Sequence, residues 1–229
     1  MSEGFGPKVV FEIAGMQITE TVTVTWFIMA IITVFCFIAT RNLKKKATGL
    51  QLVTESIVDG INDLTVQTMG PKLKSFAPYA GMLLIYIGIS NIAGLFGFRP
   101  PTADVNTTMS MALVTFILIH SYGLKHNGLD YIKGFGEPFL LLLPMNIMGE
   151  LATPISLGFR LFGNIVGGLI VMNLLYGALA NLTPAVLNLP FLQAGLPAVL
   201  HLYFDLFAGL LQSFIFAMLT MVFISIAVD

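Results

Sequence analysis

Between Pro138 and Val228 the sequence carries three formal charges, Glu150, Arg160 and Asp205, with His201 as one further ionisable group. Arg160 stands in the middle of Leu157-Gly158-Phe159-Arg160-Leu161-Phe162-Gly163-Asn164, an otherwise apolar run. A guanidinium stays protonated at any working pH, and placing it in hydrocarbon costs roughly 2.5 to 17 kcal/mol depending on the method of measurement. Two arrangements offset that cost. One is a structural ion pair with Glu150 or Asp205 inside a helical bundle. The other is a fixed charge on an ion path, the default reading of an ionisable residue within a membrane. At about 4 Å and an effective dielectric near 20, opposite unit charges attract by roughly 4 kcal/mol, worth about three units of a carboxyl pKa. A carboxylic acid brought to Arg160 would therefore release its ion. Arg160 cannot relay a proton itself, and it repels any cation that would leak straight past it. The sequence offers no repeated or mobile carboxylate, so the carrier is expected on another subunit.

The neighbouring polar residues fall on helical faces. Thr153, Ser156, Arg160, Asn164 and Gly167 recur every three or four positions, one face of a helix. Gly163 and Gly167 form a small-xxx-small pair beside it, where a partner helix can approach closely, although that pattern is also common in ordinary helix packing. Farther on, His201, Asp205 and Gln212 are spaced by four and seven, again predicting one face. The two faces are expected to meet. Glu150, ten residues before Arg160, is placed toward the inner side. His201 and Asp205, which precede Gln212 on a helix running inward, are placed toward the outer side, with Asp104 in the loop above them. Acidic groups on opposite sides of a fixed cation suit two half-channels better than one continuous pore.

The surrounding elements are those of a polytopic membrane protein. Of 229 residues 56% are hydrophobic and 10% charged, against roughly 25% charged in an ordinary soluble domain. Mean hydropathy is +0.89. Apolar runs of about 20 residues predict helices rather than a barrel, whose strands would be short and alternating. No basic block points to nucleic acid, and the single Cys36 excludes an intrachain disulfide or a cysteine metal site. Glu3 and Glu12 before the first apolar run, and Arg41, Lys44, Lys45 and Lys46 after it, reverse the charge order of a cleavable signal. The same charges place the amino terminus outside and the carboxyl terminus in the cytoplasm.

In chain order the sequence predicts an all-α single membrane domain over 1–229. Residues 1–20 form a polar outer segment, 21–134 upright spans with an amphipathic helix on the inner surface, and 135–229 a long helical hairpin along the ion path. The first span covers about Val22 to Thr40, with Trp26 near its outer end as an interfacial aromatic. From Gly49 to Met69, Leu50, Val53, Ile57, Ile61 and Leu64 repeat at helical spacing against Glu55, Asp59 and Asp63, which marks the surface helix, and Gly70-Pro71 ends it. Spans over about Phe76–Phe98 and Met109–Leu124 follow. His120 in the second of these reads better as a hydrogen-bonded packing residue than as part of an ion path. The stretch Phe139–Leu182 would be near 60 Å long as one helix, twice a hydrocarbon thickness. It must either break, at Pro144 or Pro154, or lie strongly tilted. A Pro- and Asn-containing link, Thr183–Gly195, joins it to Leu196–Val228.

These residues resemble a known family, subunit a of the F-type ATP synthase membrane sector. The resemblance rests on Pro154-Ile155-Ser156-Leu157-Gly158-Phe159-Arg160-Leu161-Phe162-Gly163-Asn164, on Pro144-Met145-Asn146 with Glu150, on Ala103-Asp104-Val105-Asn106-Thr107-Thr108, and on Gln212-Ser213-Phe214-Ile215-Phe216. It covers the chain from about Pro101 onward, and the amino-terminal third agrees in layout only. It implies a stator subunit whose arginine, matching Arg160, faces a rotating ring of c subunits, with the residues matching Asn164 and Gln212 beside it. It further implies a tilted hairpin against that ring, two offset half-channels for H⁺ or Na⁺, and peripheral-stalk b subunits as partners. The subunit would be non-catalytic and without a cofactor, in a bacterial inner membrane. Many relatives carry a glutamate nine residues after the arginine, where this sequence has Leu169. Members that differ there often place an ionisable group on the last helix, which points to Asp205 for the outer half-channel. A self-contained cation channel or secondary transporter is the alternative reading, disfavoured by the lack of internal repeats. An intramembrane enzyme finds no HExxH, GxSxG or paired aspartates.

Overall fold

A chain whose apolar runs must satisfy every backbone group internally is driven to helix, and the described residues of the computed structural model are 88% helical, with eight α-helices among them. It describes residues 8–13, 15–41, 43, 44, 47, 49–136, 139–186 and 191–228. Lys45 and Lys46 of the inner cluster, and Glu3, lie outside them. Among the described residues, five helical stretches are long and apolar enough to cross a membrane.

The outer segment holds the first difference from the sequence expectation. Val9–Ile13 (β1) pairs antiparallel with Met16–Thr19 (β2), and Gly15 at φ 80° takes the left-handed conformation their turn requires. Helix α1, Glu20–Thr40, follows directly. Helix α2, Leu50–Met69, is the amphipathic helix, starting and ending at glycines of positive φ, Gly49 and Gly70. Its apolar face at Leu50, Val53 and Ile57 is exposed, while Thr65 and Met69 at its far end are buried. A 3₁₀ turn, Pro71–Phe76, leads into α3, Ala77–Ile92, and a second, Ala93–Phe96, closes on Gly97 at φ 77°. Helix α4, Val105–Asn127, is capped by Asp104, whose carboxylate accepts from the Asn106 amide at 2.9 Å. Gly128 at φ 58° then turns the chain into the short α5, Leu129–Gly134.

Helix α6 runs unbroken over Leu143–Val186, 44 residues or about 66 Å. Of the two alternatives, a break or a tilted helix, the break at Pro154 does not occur. Proline at that position removes the bond to the Glu150 carbonyl but no other, and the Thr153 hydroxyl donates to the Gly149 carbonyl at 3.3 Å one turn back. The partner stretch consists of α7, Phe191–His201, a π-helical turn, Leu202–Ala208, and α8, Gly209–Val228. His201 and Asp205 stay on one face across the π turn, in contact at 2.7 Å, whereas the seven-residue step from Asp205 to Gln212 crosses from π-helix into α-helix. Of the expected link, residues 183–186 finish α6 and 191–195 begin α7; 187–190 are outside the described residues.

Helices α3, α4, α6 and α8 meet in the core, where Ile87, Ala112, Leu161, Phe216 and Ala217 are fully buried. In lipid such packing depends on close approach and polar contacts between helices. Gly209 supplies one such approach, because a Cβ there would lie 2.9 Å from the Asn91 Cβ. Asn91 uses that space to donate from Nδ2 to the Gly209 carbonyl at 2.8 Å, and it accepts from the Thr102 hydroxyl at 2.5 Å. Asn127 ties the ends of α4 and α8 together by donating to the Ala227 carbonyl at 3.2 Å. One end of the bundle thus gathers Lys72, Lys74, Lys125 and the last turns of α4 and α8. The other gathers Asn91, Thr102 and the π turn.

Candidate functional site

Arg160 lies on the exposed face of α6. It borders a cleft of about 230 Å³ with Gly149, Thr153, Ser156, Leu219 and Phe223, which brings together three members of the predicted stripe, Thr153, Ser156 and Arg160. Among the described residues it pairs with neither Glu150 nor Asp205, the two partners of the structural ion-pair reading. Glu150 is ten residues away along α6, about 15 Å of rise. The Asp205 carboxylate is instead 2.7 Å from His201 Nδ1. Beside Arg160 the surface is open: a Cβ built on Gly163 or Gly167 meets nothing within 4 Å.

Toward the lysine-bearing end lies a larger cavity, about 920 Å³, lined by His126, Asn127, Asp130, Tyr131, Asn146, Gly149 and Glu150 among others. Gly149 borders both spaces, so the Glu150 cavity leads toward the Arg160 cleft. Asn146 closes one wall by donating to the Phe135 carbonyl at 2.9 Å. Tyr131, on α5, has its phenol pushed above the usual value by burial and, secondly, by the Glu150 carboxylate.

At the opposite end His201 bridges the two long helices. Its Nδ1 meets Asp205 at 2.7 Å and its Nε2 the Tyr176 hydroxyl of α6 at 3.2 Å. The Asp205 carboxyl is seated against Gly94, where a Cβ would lie 3.2 Å from its Cγ. Asn164 lies between this cluster and Arg160, donating to the Ala208 carbonyl at a long 3.5 Å. Two asparagines from different helices therefore bond successive carbonyls, Ala208 and Gly209, where the π turn returns to α-helix. Irregular helix is characteristic of functional positions. Gln212 is buried, 6% exposed, one turn before Phe216, which packs on Leu157 and Leu161.

The two polar faces meet, then, at Asn164 with Ala208 and at Tyr176 with His201. Asp104 is brought to the same end but is engaged as the α4 cap. His120 hydrogen-bonds Tyr131 at 2.9 Å, the contact expected of a packing histidine. The sequence reading missed Tyr176, Tyr131 and Asn91. No spacing rule links them to their partners, which lie 25, 11 and 118 residues away.

The sequence pattern of the ATP synthase A chain matches residues 22–225, nearly the whole chain and every site residue above. The chain belongs to that family. It is 37% identical over 210 residues to "ATP synthase subunit a 1" of Pelobacter propionicus, covering 90% of this chain and 86% of that one. To "ATP synthase subunit a" of Trichlorobacter lovleyi it is 38% identical, covering 90% and 85%. To "ATP synthase subunit a, sodium ion specific" of Propionigenium modestum it is 35% identical over 237 residues, covering 96% and 78%. As an ATP synthase A chain it is a membrane-sector subunit of that complex and serves ion transport in a rotary machine.

Proposed function

We propose that this subunit is the ion-conducting stator element, with Arg160 facing the ring of c subunits between two half-channels. The single observation that supports this reading most is an exposed guanidinium that pairs with neither carboxylate of its own hairpin. It stands between a polar cavity at one end of the bundle and an Asp205–His201–Tyr176 cluster at the other. The cavity containing Glu150 is the cytoplasmic half-channel, consistent with lysines at that end. The Asp205 cluster is the outer half-channel. An ion coming in past Asp205 loads a ring carboxylate, rides the ring, and is discharged on meeting Arg160 from the other side. Asn164 and Gln212 flank the charge, b subunits hold the stator, and the amino terminus faces outward from a bacterial inner membrane.

The direct test is Arg160→Ala. Removing a term of roughly 4 kcal/mol should abolish gradient-driven ATP synthesis while the complex still assembles. Retained synthesis would defeat the assignment. The purified chain alone, reconstituted in vesicles, should move no solute; specific uptake without partners would favour a self-contained channel or transporter.

A further inference from the structure

Asp205 sits in the π turn, where the backbone departs from α-helical geometry and the regular helix no longer fixes a side chain's direction by itself. A brace from the neighbouring long helix sets that direction instead. The Tyr176 hydroxyl on α6 lies 3.2 Å from His201 Nε2, with ring centroids 6.0 Å apart, and His201 Nδ1 lies 2.7 Å from Asp205 Oδ2. The partners decide the tautomer. An ionised carboxylate only accepts, so Nδ1 carries the hydrogen; Nε2 of the neutral ring then only accepts, so the Tyr176 O–H donates to it. The donors thus run one way, from Tyr176 through His201 to Oδ2. The second carboxylate oxygen is differently placed. Oδ1 faces Gly94, where a Cβ would lie 3.3 Å from it, and no described residue donates to it. The Asp205 side chain keeps 16% of its surface exposed, so it is within reach from outside the bundle.

We propose that Tyr176 is a positioning residue of the outer half-channel: through His201 it holds Oδ2 of Asp205 and so keeps Oδ1, beside Gly94, presented to the incoming ion. The inference rests on the reading of the Asp205 cluster as that half-channel. A hydroxyl anchors the imidazole without adding a charge that would compete for the ion or repel it. Nor do the surrounding elements offer the carboxylate another charged partner. The π turn packs against α3, the turn Ala93–Phe96, α6, α7 and α8, and of these α3, Ala93–Phe96 and α8 over 209–228 carry no charged side chain. Along α6, Arg160 stands 16 residues before Tyr176, about 24 Å of rise, and Glu150 is farther still.

The test is gradient-driven ATP synthesis by the whole complex in inverted vesicles, whose lumen corresponds to the outer side. Luminal pH is lowered stepwise in one series and luminal NaCl is raised at fixed pH in another; the ion that drives the wild type is then titrated in the variants. Tyr176→Phe keeps the ring and removes only the hydroxyl. The luminal ion concentration for half-maximal synthesis should rise roughly fivefold, the weight of one hydrogen bond, while the maximal rate and the amount of assembled complex stay near wild type. A residue that merely packed α6 against α7 would lower the maximal rate and leave half-saturation where it was. His201→Ala should raise half-saturation at least as far, and the double variant no further than His201→Ala, because the tyrosine acts only through the imidazole. Unmoved half-saturation for Tyr176→Phe overturns the inference, as does a fall in maximal rate alone or an additive double variant. If Asp205→Asn leaves synthesis unaltered, the half-channel reading itself fails; if Asp205→Asn impairs it while Tyr176→Phe is silent, this inference alone fails.

Discussion

Replacing Gly163 by leucine separates what the subunit needs for itself from what it needs for a carrier. Within the chain a Cβ at this position meets nothing within 4 Å, so the site is open beside Arg160. Exchanging glycine for leucine in a helix interior favours the helix by somewhat under about 1 kcal/mol, so α6 should be at least as stable as before. A helix docked on the small-xxx-small face would feel the change, being forced from close approach out toward the roughly 8–10 Å separation of ordinary helix pairs. If that moves a passing carboxylate from about 4 Å to about 8 Å from the guanidinium, the attraction at an effective dielectric near 20 halves from roughly 4 to roughly 2 kcal/mol. The lost 2 kcal/mol corresponds to about a thirty-fold weaker drive for ion release. The assay is gradient-driven ATP synthesis in vesicles matched for the amount of this subunit, with ATP hydrolysis by the same complexes as internal reference. Synthesis at wild-type rates with Gly163→Leu would refute the idea that a partner helix passes over this face.

Asp205→Asn keeps the shape beside Gly94 and His201 but removes the charge, and it should slow ion uptake from the outer side while assembly persists. Unchanged ATP-driven pumping would remove Asp205 from the path. Asn91→Ala deletes the donor to the Gly209 carbonyl and orphans the buried Thr102 hydroxyl. Two lost hydrogen bonds at about 1 kcal/mol each, plus about 1–3 kcal/mol for the stranded hydroxyl, should lower the melting temperature of the detergent-solubilised complex measurably. An unaltered melt would show that these bonds contribute nothing net.

Much of the scaffold was legible because it follows from local rules. Leu50, Val53, Ile57, Ile61 and Leu64 repeat with the period of a helix, and Gly49 and Gly70 bound it within a residue of the expectation. Arg160 was legible for a different reason: a cation that cannot neutralise itself stands out in hydrocarbon whatever the fold. Other features depend on contacts that no local spacing encodes. Pro154 looks like a break, yet a 44-residue helix absorbs the loss of one bond among dozens. The π turn at Leu202–Ala208 has no signature of its own, since side chains arriving from α3 and α6 take up the carbonyls at its end. The polar partners Tyr176 and Tyr131 read in sequence as two aromatics among many in a hydrophobic chain.

The π turn also bears on how such a subunit can tolerate insertions and deletions. Losing one residue within 202–208 would let the stretch relax into ordinary α-helix with both flanks near their present phase, leaving Phe216, Ala217, Met221 and Ile224 in their sockets, because a π turn is one extra residue absorbed within an α-helix. The same deletion two turns later would drag that whole buried row out of phase. The turn thus gives slack between the outer ionisable cluster and the packed half of the hairpin, where chain length can change by one residue with both ends held in register.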